Sequence, residues 1–251
     1  MKYFKKTIIF TLVCIVLIVI IFFLLDNKIN PKKNTETTSE SFIITDCFPD
    51  YSSIIDEYQK FVDQLINEGI ESVFDNEIFT TPDTDLSYNW NCMMTETNIW
   101  SYRKFPKNRE AFGYALEDLN GNGTPELVLL LKDYTVLAVF STVNGKPKLL
   151  DAYWPKHRCA IYNSGLLYTL SSGGSAYWEY AIHQISQDGS KLIAVEQYGS
   201  DDDLYKIING EKYNISELEL EEFQKKYPIL SDTYASEITE NSGIRFVSLF
   251  D

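Results

Sequence analysis

Residues 112–131 read FGYALEDLNGNGTPELVLLL. Phe112, Tyr114 and Leu116 alternate with Gly113, Ala115 and Glu117, the two-residue period of a strand with one apolar face. Leu127 to Leu131 is apolar throughout, as in a central strand covered on both faces. Between the two runs, D-L-N-G-N-G-T-P-E places oxygen-bearing side chains at relative positions 1, 3, 5 and 9 and glycine at position 6. A strand-loop-strand unit is predicted, and its loop has the chemistry of a cation site. Ca²⁺ takes about six to eight oxygens at ~2.3–2.6 Å, and a tight loop turns alternate side chains inward where glycine supplies the positive φ. In that frame Asp118, Asn120 and Asn122 are direct ligands, Thr124 gives its carbonyl, and Glu126 binds directly or through water. Position 12 is Leu129, so the bidentate Glu of an EF-hand is missing, and strands rather than helices flank the loop. The same residues also fit a polar hairpin turn in which Asp118 and the amides bond the backbone.

The segment YALEDLNGNGTPELVLL, residues 114–130, resembles the strand-loop-strand calcium repeat of FG-GAP and related extracellular β proteins. It also resembles a Tyr-Ala-Leu element followed by a D-x-N-G-x-G-x-P-E-L loop in small membrane-anchored or lipoprotein-like proteins of Gram-positive bacteria. The resemblance covers about 20 of the 251 residues and implies Asp118, Asn120, Asn122, Thr124 and Glu126 as calcium ligands. This chain departs from it with Asn122 where Asp is common and with Glu126 in place of Asp. Two formal charges remain, which sets a structural calcium site of the weak extracellular class, ~10⁻⁴ to 10⁻³ M.

Outward from this unit, short runs rich in Val, Ile, Tyr and Leu are divided by Asn144-Gly145, Asn163-Ser164-Gly165, Asp188-Gly189 and Asn209-Gly210, all hairpin-turn signals. The strands they imply cover residues 112–118, 126–132, 135–141, 148–153, 158–162, 166–170, 176–185, 191–198 and 204–213, with a last strand over 244–250 returning to the sheet. From Asp50 to Gly69, Tyr51, Ile54, Ile55, Tyr58, Phe61, Leu65 and Ile66 form one helical face, with Ser53 and Asp56 as a capping box and Gly69 as the stop. Ser216 with Glu219 opens a second helix that Tyr227-Pro228 ends. The predicted class is α+β, a mainly antiparallel β meander between an N-terminal and a C-terminal amphipathic helix, preceded by one transmembrane helix.

Residues 8–25, IIFTLVCIVLIVIIFFLL, hold one polar residue, Thr11. At 1.5 Å per residue they cross most of a ~30 Å hydrocarbon core, and no small-residue cleavage signal follows. Lys2, Lys5 and Lys6 precede the run and orient it with residues 1–7 in the cytoplasm. A single-pass cell-membrane protein follows, held in the bilayer by residues 8–25, with a polar linker over 26–46 and an extracytoplasmic β-rich domain over 47–251.

The net charge is −14, and residues 1–33 carry six Lys against one Asp, so the exported part is more acidic still. Such a surface repels phosphate backbones, which removes nucleic acid as a partner and leaves cations and cationic ligands. Cys47, Cys92 and Cys159 lie beyond the span; Cys47 with Cys92 is the favoured disulfide, against three reduced thiols. Ser171-Ser172-Gly173-Gly174-Ser175 has the composition of a flexible turn between strands. Alternation sets Trp178, Tyr180 and Ile182 on one face of a strand and Glu179 and His183 on the other, while His157 falls in an expected loop. No nucleophile motif names a reaction, and no catalytic residue is assigned. The leading reading is a membrane-anchored extracytoplasmic module that binds an envelope protein or a glycan and carries a structural calcium loop. The alternatives are an envelope hydrolase using a carboxylate pair as acid and base, and a purely structural tether.

Overall fold

The structure, a computed structural model, describes residues 50–69, 93, 105–173 and 177–250. The expected span over 8–25, the linker over 26–46, and Cys47 and Cys92 lie outside the described residues. Among the described residues no helix is long and apolar enough to cross a membrane.

Strands β1 (Phe112–Glu117) and β2 (Glu126–Leu131) pair antiparallel in register from Phe112 opposite Leu131 to Glu117 opposite Glu126. They lie at the centre of a five-stranded sheet with β3 (Val136–Val143), β4 (Lys146–Ala152) and β11 (Val247–Ser248), in the order β11-β1-β2-β3-β4. Every residue of β2 is buried. Because side chains alternate across a pleat, Leu127, Leu129 and Leu131 enter one apolar cluster while Val128 and Leu130 enter another. The first cluster packs against α1 (Ser52–Glu68), whose buried stripe is Ile54, Tyr58, Phe61, Val62 and Leu65. The expected Ser53–Asp56 capping box does not form. The N-cap is Tyr51, two residues earlier, and Asp50 Oδ1 accepts the Ser52 N–H at 3.0 Å instead. Gly69, at φ 87°, ends the helix as expected.

The second cluster joins this sheet to a six-stranded one, ordered β10-β9-β8-β7-β6-β5. Its strands are β5 (His157–Ile161), β6 (Leu167–Ser172), β7 (Tyr177–Ile185), β8 (Leu192–Asp201), β9 (Leu204–Ile208) and β10 (Glu211–Asn214). The chain crosses between sheets at a tight turn where Trp154 and His157 exchange backbone hydrogen bonds of 2.9 and 2.7 Å. His157 therefore opens β5 rather than lying in a loop. The far face of this sheet, with Ala160, Tyr168, Leu170, Tyr180 and Ile182, is covered by α2 (Glu217–Lys226) and α3 (Asp232–Asn241). The layers run helix, sheet, sheet, helices, a mainly antiparallel α+β architecture with apolar packing at each junction.

Asn144-Gly145 and Asn209-Gly210 both take positive φ at each residue, the conformation that two-residue hairpins require. The second of these turns divides the expected strand 204–213 into β9 and β10. The expected strand 244–250 contracts to Val247–Ser248, paired with Tyr114 and Gly113. A Cβ at Gly113 would sit 2.3 Å from the Val247 carbonyl, so this approach requires glycine. Ser216 and Glu219 do form a reciprocal capping box on α2. Helix α3 is an addition to the expected elements. Its Thr239 Oγ1 accepts the Ile161 N–H at 3.1 Å, satisfying a donor on β5, the edge strand.

Candidate functional site

The loop Asp118–Pro125 closes the β1–β2 hairpin and holds four of the five expected calcium ligands, Asp118, Asn120, Asn122 and Thr124, with Glu126 following as the first residue of β2. Asp118 Oδ1 accepts the Asn122 N–H at 3.0 Å and Oδ2 accepts the Gly123 N–H at 2.9 Å. Asn120 Oδ1 also accepts from Asn122 N at 3.0 Å, and Asn122 Oδ1 accepts the Thr124 N–H at 2.7 Å. Gly121 and Gly123 supply the positive φ, 71° and 86°, that curls the backbone around these oxygens.

The amide orientations are fixed from outside the loop. Asn120 Nδ2 donates to the Ser186 carbonyl at 3.0 Å and Asn122 Nδ2 to the Gln187 carbonyl at 2.9 Å, both in the β7–β8 turn. Gln187 Nε2 returns a bond to the Asn120 carbonyl at 2.6 Å. With each NH₂ held by a carbonyl, each amide oxygen is held toward the 118–126 turn. Two glycines let the neighbouring turns approach. A Cβ at Gly165 would lie 1.9 Å from the Leu119 carbonyl oxygen, and one at Gly189 would lie 2.3 Å from Ser141 Oγ.

Glu126 closes the loop from below. It is fully buried, its Oε2 accepts the Leu119 N–H at 2.9 Å and its Oε1 accepts the Ser141 hydroxyl at 3.0 Å. Among the described residues no Lys or Arg pairs with it. Burial pushes its pKa above the ordinary carboxylate range, and the Asp118 charge adds to that rise. A carboxylate has about four lone-pair sites, and these two donors leave acceptor capacity on both oxygens. The turn therefore gathers oxygens of Asp118, Asn120, Asn122 and Glu126, two of the four residues charged, with no Lys or Arg paired to them among the described residues. Among the described residues no group of three or more His, Cys, Asp and Glu side chains stands ready for a metal ion. Any cation held here rests on a mixed amide and carboxylate set.

A second polar constellation escapes local sequence reading. His157 Nδ1 lies 2.7 Å from Ser171 Oγ, and His157 Nε2 lies 2.7 Å from Asp151 Oδ2. Asp151 is on β4 and His157 on β5, brought together where the chain crosses between sheets, and Ser171 is the cross-strand partner of His157. A signal was present. The turn Asn163-Ser164-Gly165 pairs residues equidistant from Ser164, and His157 and Ser171 lie equally far on either side. His183, on the same face, hydrogen-bonds Thr169 at 3.1 Å, and burial pushes its pKa down to about 4. Asp201, Asp202 and Asp203 stay exposed at the β8–β9 turn, where Asp201 pairs with Lys212. Cys159 is a buried free thiol.

Compared with models of protein families, with curated proteins and with solved structures, the chain matches none.

Proposed function

We propose that this protein is a single-pass membrane-anchored extracytoplasmic module for binding or envelope interaction, and that its β1–β2 loop takes calcium structurally and weakly. The observation that carries the calcium reading is Glu126, a buried carboxylate with no cationic partner among the described residues, beside the Asp118 charge. A carboxylate charge buried like that of Glu126, with the exposed Asp118 charge beside it, is costly unless a proton or a cation neutralises it. Oxygens positioned by backbone N–H groups and by the β7–β8 turn meet the preference of Ca²⁺ for hard ligands at low reorganisation cost. The loop then acts as a clamp that ties β1, β2 and the β7–β8 turn together. The anchor rests on residues 8–25 and on the lysines before them.

Calcium titration of the metal-stripped chain by calorimetry tests the loop. One site near 10⁻⁴ to 10⁻³ M, lost in Asp118→Ala, is the expected result; equal heats in both proteins would leave the empty polar turn. Protease added to intact cells should remove the domain over 47–251, and full protection on cells with an accessible surface would reverse the topology. A domain that passes both tests and binds no envelope protein or glycan would be the structural tether. The hydrolase reading draws support from a histidine-paired hydroxyl rather than from the expected pair of carboxylates.

A further inference from the structure

We propose that Ser171 is an acylatable nucleophile with His157 as its base and Asp151 as the orienting carboxylate, acting on carboxylic esters that carry a positive charge. The proposal does not depend on calcium.

Asp151 is a carboxylate that only accepts, so His157 Nε2 carries the ring proton toward it, and in the neutral ring Nδ1 is left as an acceptor. Ser171 Oγ, 2.7 Å from Nδ1, therefore donates its hydroxyl proton to the base. This is the hydrogen-bond order that activates a serine, with the two ring nitrogens exchanged relative to the protease template. The positions are stiff. Asp151 is buried and its Oδ1 accepts the Ala152 N–H at 2.8 Å, Tyr153 lies against the His157 ring with centroids 5.1 Å apart, and Ser171 is fixed by strand register. Ser171 is half-buried and close to the end of β6, where the strand gives way to the exposed Gly173.

The next strand supplies the specificity. Glu179 on β7 is the cross-strand partner of Ser171, which puts its Cβ about 5 Å away on the same face. Gln197 Nε2 donates to Glu179 Oε2 at 2.6 Å and the Tyr205 hydroxyl lies 3.4 Å from it. Tyr205 reaches across β8 because residue 199 is glycine; a Cβ there would meet its hydroxyl at 2.4 Å. The row His157, Ser171, Glu179 thus sets a held negative charge beside the nucleophile, on a protein of net charge −14. Anionic esters are repelled and cationic ones attracted.

The reaction closes without a cofactor. Ser171 Oγ bonds to the ester carbonyl carbon as its proton passes to His157 Nδ1, and the imidazolium is paired with Asp151 at Nε2. The carbon–oxygen bond to the alcohol then breaks, and the alcohol takes the proton from His157. Water, deprotonated by His157, attacks the acyl-serine, and Ser171 Oγ leaves with that proton to give the free acid.

A fluorophosphonate probe on the full chain, read by peptide mass spectrometry, tests the nucleophile. Fluoride leaves phosphorus as Ser171 Oγ bonds to it, with the proton released through His157. The expected result is one adduct, on Ser171, absent in Ser171→Ala and formed about 100-fold more slowly in His157→Gln, with the far-ultraviolet circular dichroism of both variants unchanged. No adduct on the unsubstituted chain, an adduct only on another residue, or an equal rate in His157→Gln would overturn the proposal. Acetylcholine should be hydrolysed with a kcat/KM at least 10-fold above that of its neutral isostere 3,3-dimethylbutyl acetate, and Glu179→Gln should erase the difference. Equal use of both esters by the unsubstituted chain would overturn the assignment of substrate class.

Discussion

Two polar clusters sit on this fold, and they are held by different means. The β1–β2 loop collects its oxygens locally, with backbone N–H groups of Leu119, Asn122, Gly123 and Thr124 as donors and a neighbouring turn as a brace. The Asp151–His157–Ser171 row is not built from one turn; its members come from three strands and two sheets, His157 and Ser171 aligned by register and Asp151 brought in by the crossing between sheets. The loop concentrates negative charge without a cationic partner among the described residues, whereas the row pairs a carboxylate with an imidazole. A cluster built from one turn can reshape around an ion at little cost. One built from register moves only if the sheets move, which suits chemistry rather than folding.

The sharpest break between the two regions is steric. Gly165→Ala forces a Cβ against the Leu119 carbonyl at a φ of 76° and should cost about 3 kcal/mol or more, read from the urea midpoint. Gly123→Ala, at φ 86° but in open space, should cost about 1 kcal/mol. Equal losses would mean that the β5–β6 turn does not brace the loop.

Acid should act on the two regions with opposite sign. Burial holds His183 at about 4, below its unfolded value of about 6.5. Its contribution is present above pH 6.5 and is lost as pH falls toward 4, by about 3 kcal/mol at ~1.4 kcal/mol per unit. His183→Gln should flatten that decline. Glu126 is raised, so the folded state binds the proton more tightly and, without calcium, stability falls as pH rises through its folded pKa. Glu126→Gln can accept from Leu119 N–H and donate to Ser141, so at pH 7 without calcium it should be at least as stable as the parent chain. A less stable variant would mean that the buried charge is already compensated.

A smaller effect follows for Asp118→Ala, which should remove most of a ~1.4 kcal/mol calcium gain expected at millimolar ion and a Kd of ~10⁻⁴ M. The smallest is Asn122→Ala. It deletes a neutral oxygen from an exposed position and should cost under about 1 kcal/mol with calcium present, by the same melting assay.

Much of what was encoded over a few neighbouring residues was legible in the sequence, the Ser53–Asp56 box being an exception. The Asn-Gly turns, the doubly buried β2, the stripe of α1 and the Ser216–Glu219 box each depend on local pattern, and each is present. The polar turn of the β1–β2 loop belongs to the same class, since its spacing is its geometry; that it takes calcium is the proposal above. Helix α3 was not legible because its segment, DTYASEITEN, offers only the short apolar face of Tyr234, Ala235 and Ile238 among polar residues; it buries only Ala235 and Thr239, and a side-chain bond to the edge of β5 helps to hold it. The division of residues 204–213 depends on how the Asn209-Gly210 turn folds the segment back on itself. The histidine row required the register of the β5–β6 hairpin and the position of the crossing between sheets, and only the first can be read from turn spacing.

Thermal unfolding of the full chain in millimolar calcium and in excess chelator tests the central claim most directly. Binding to the native state alone should raise Tm by about 3–5 °C, and Asp118→Ala should abolish the shift. Coincident curves for the unsubstituted chain, or an equal shift in Asp118→Ala, would contradict a calcium site in the β1–β2 loop.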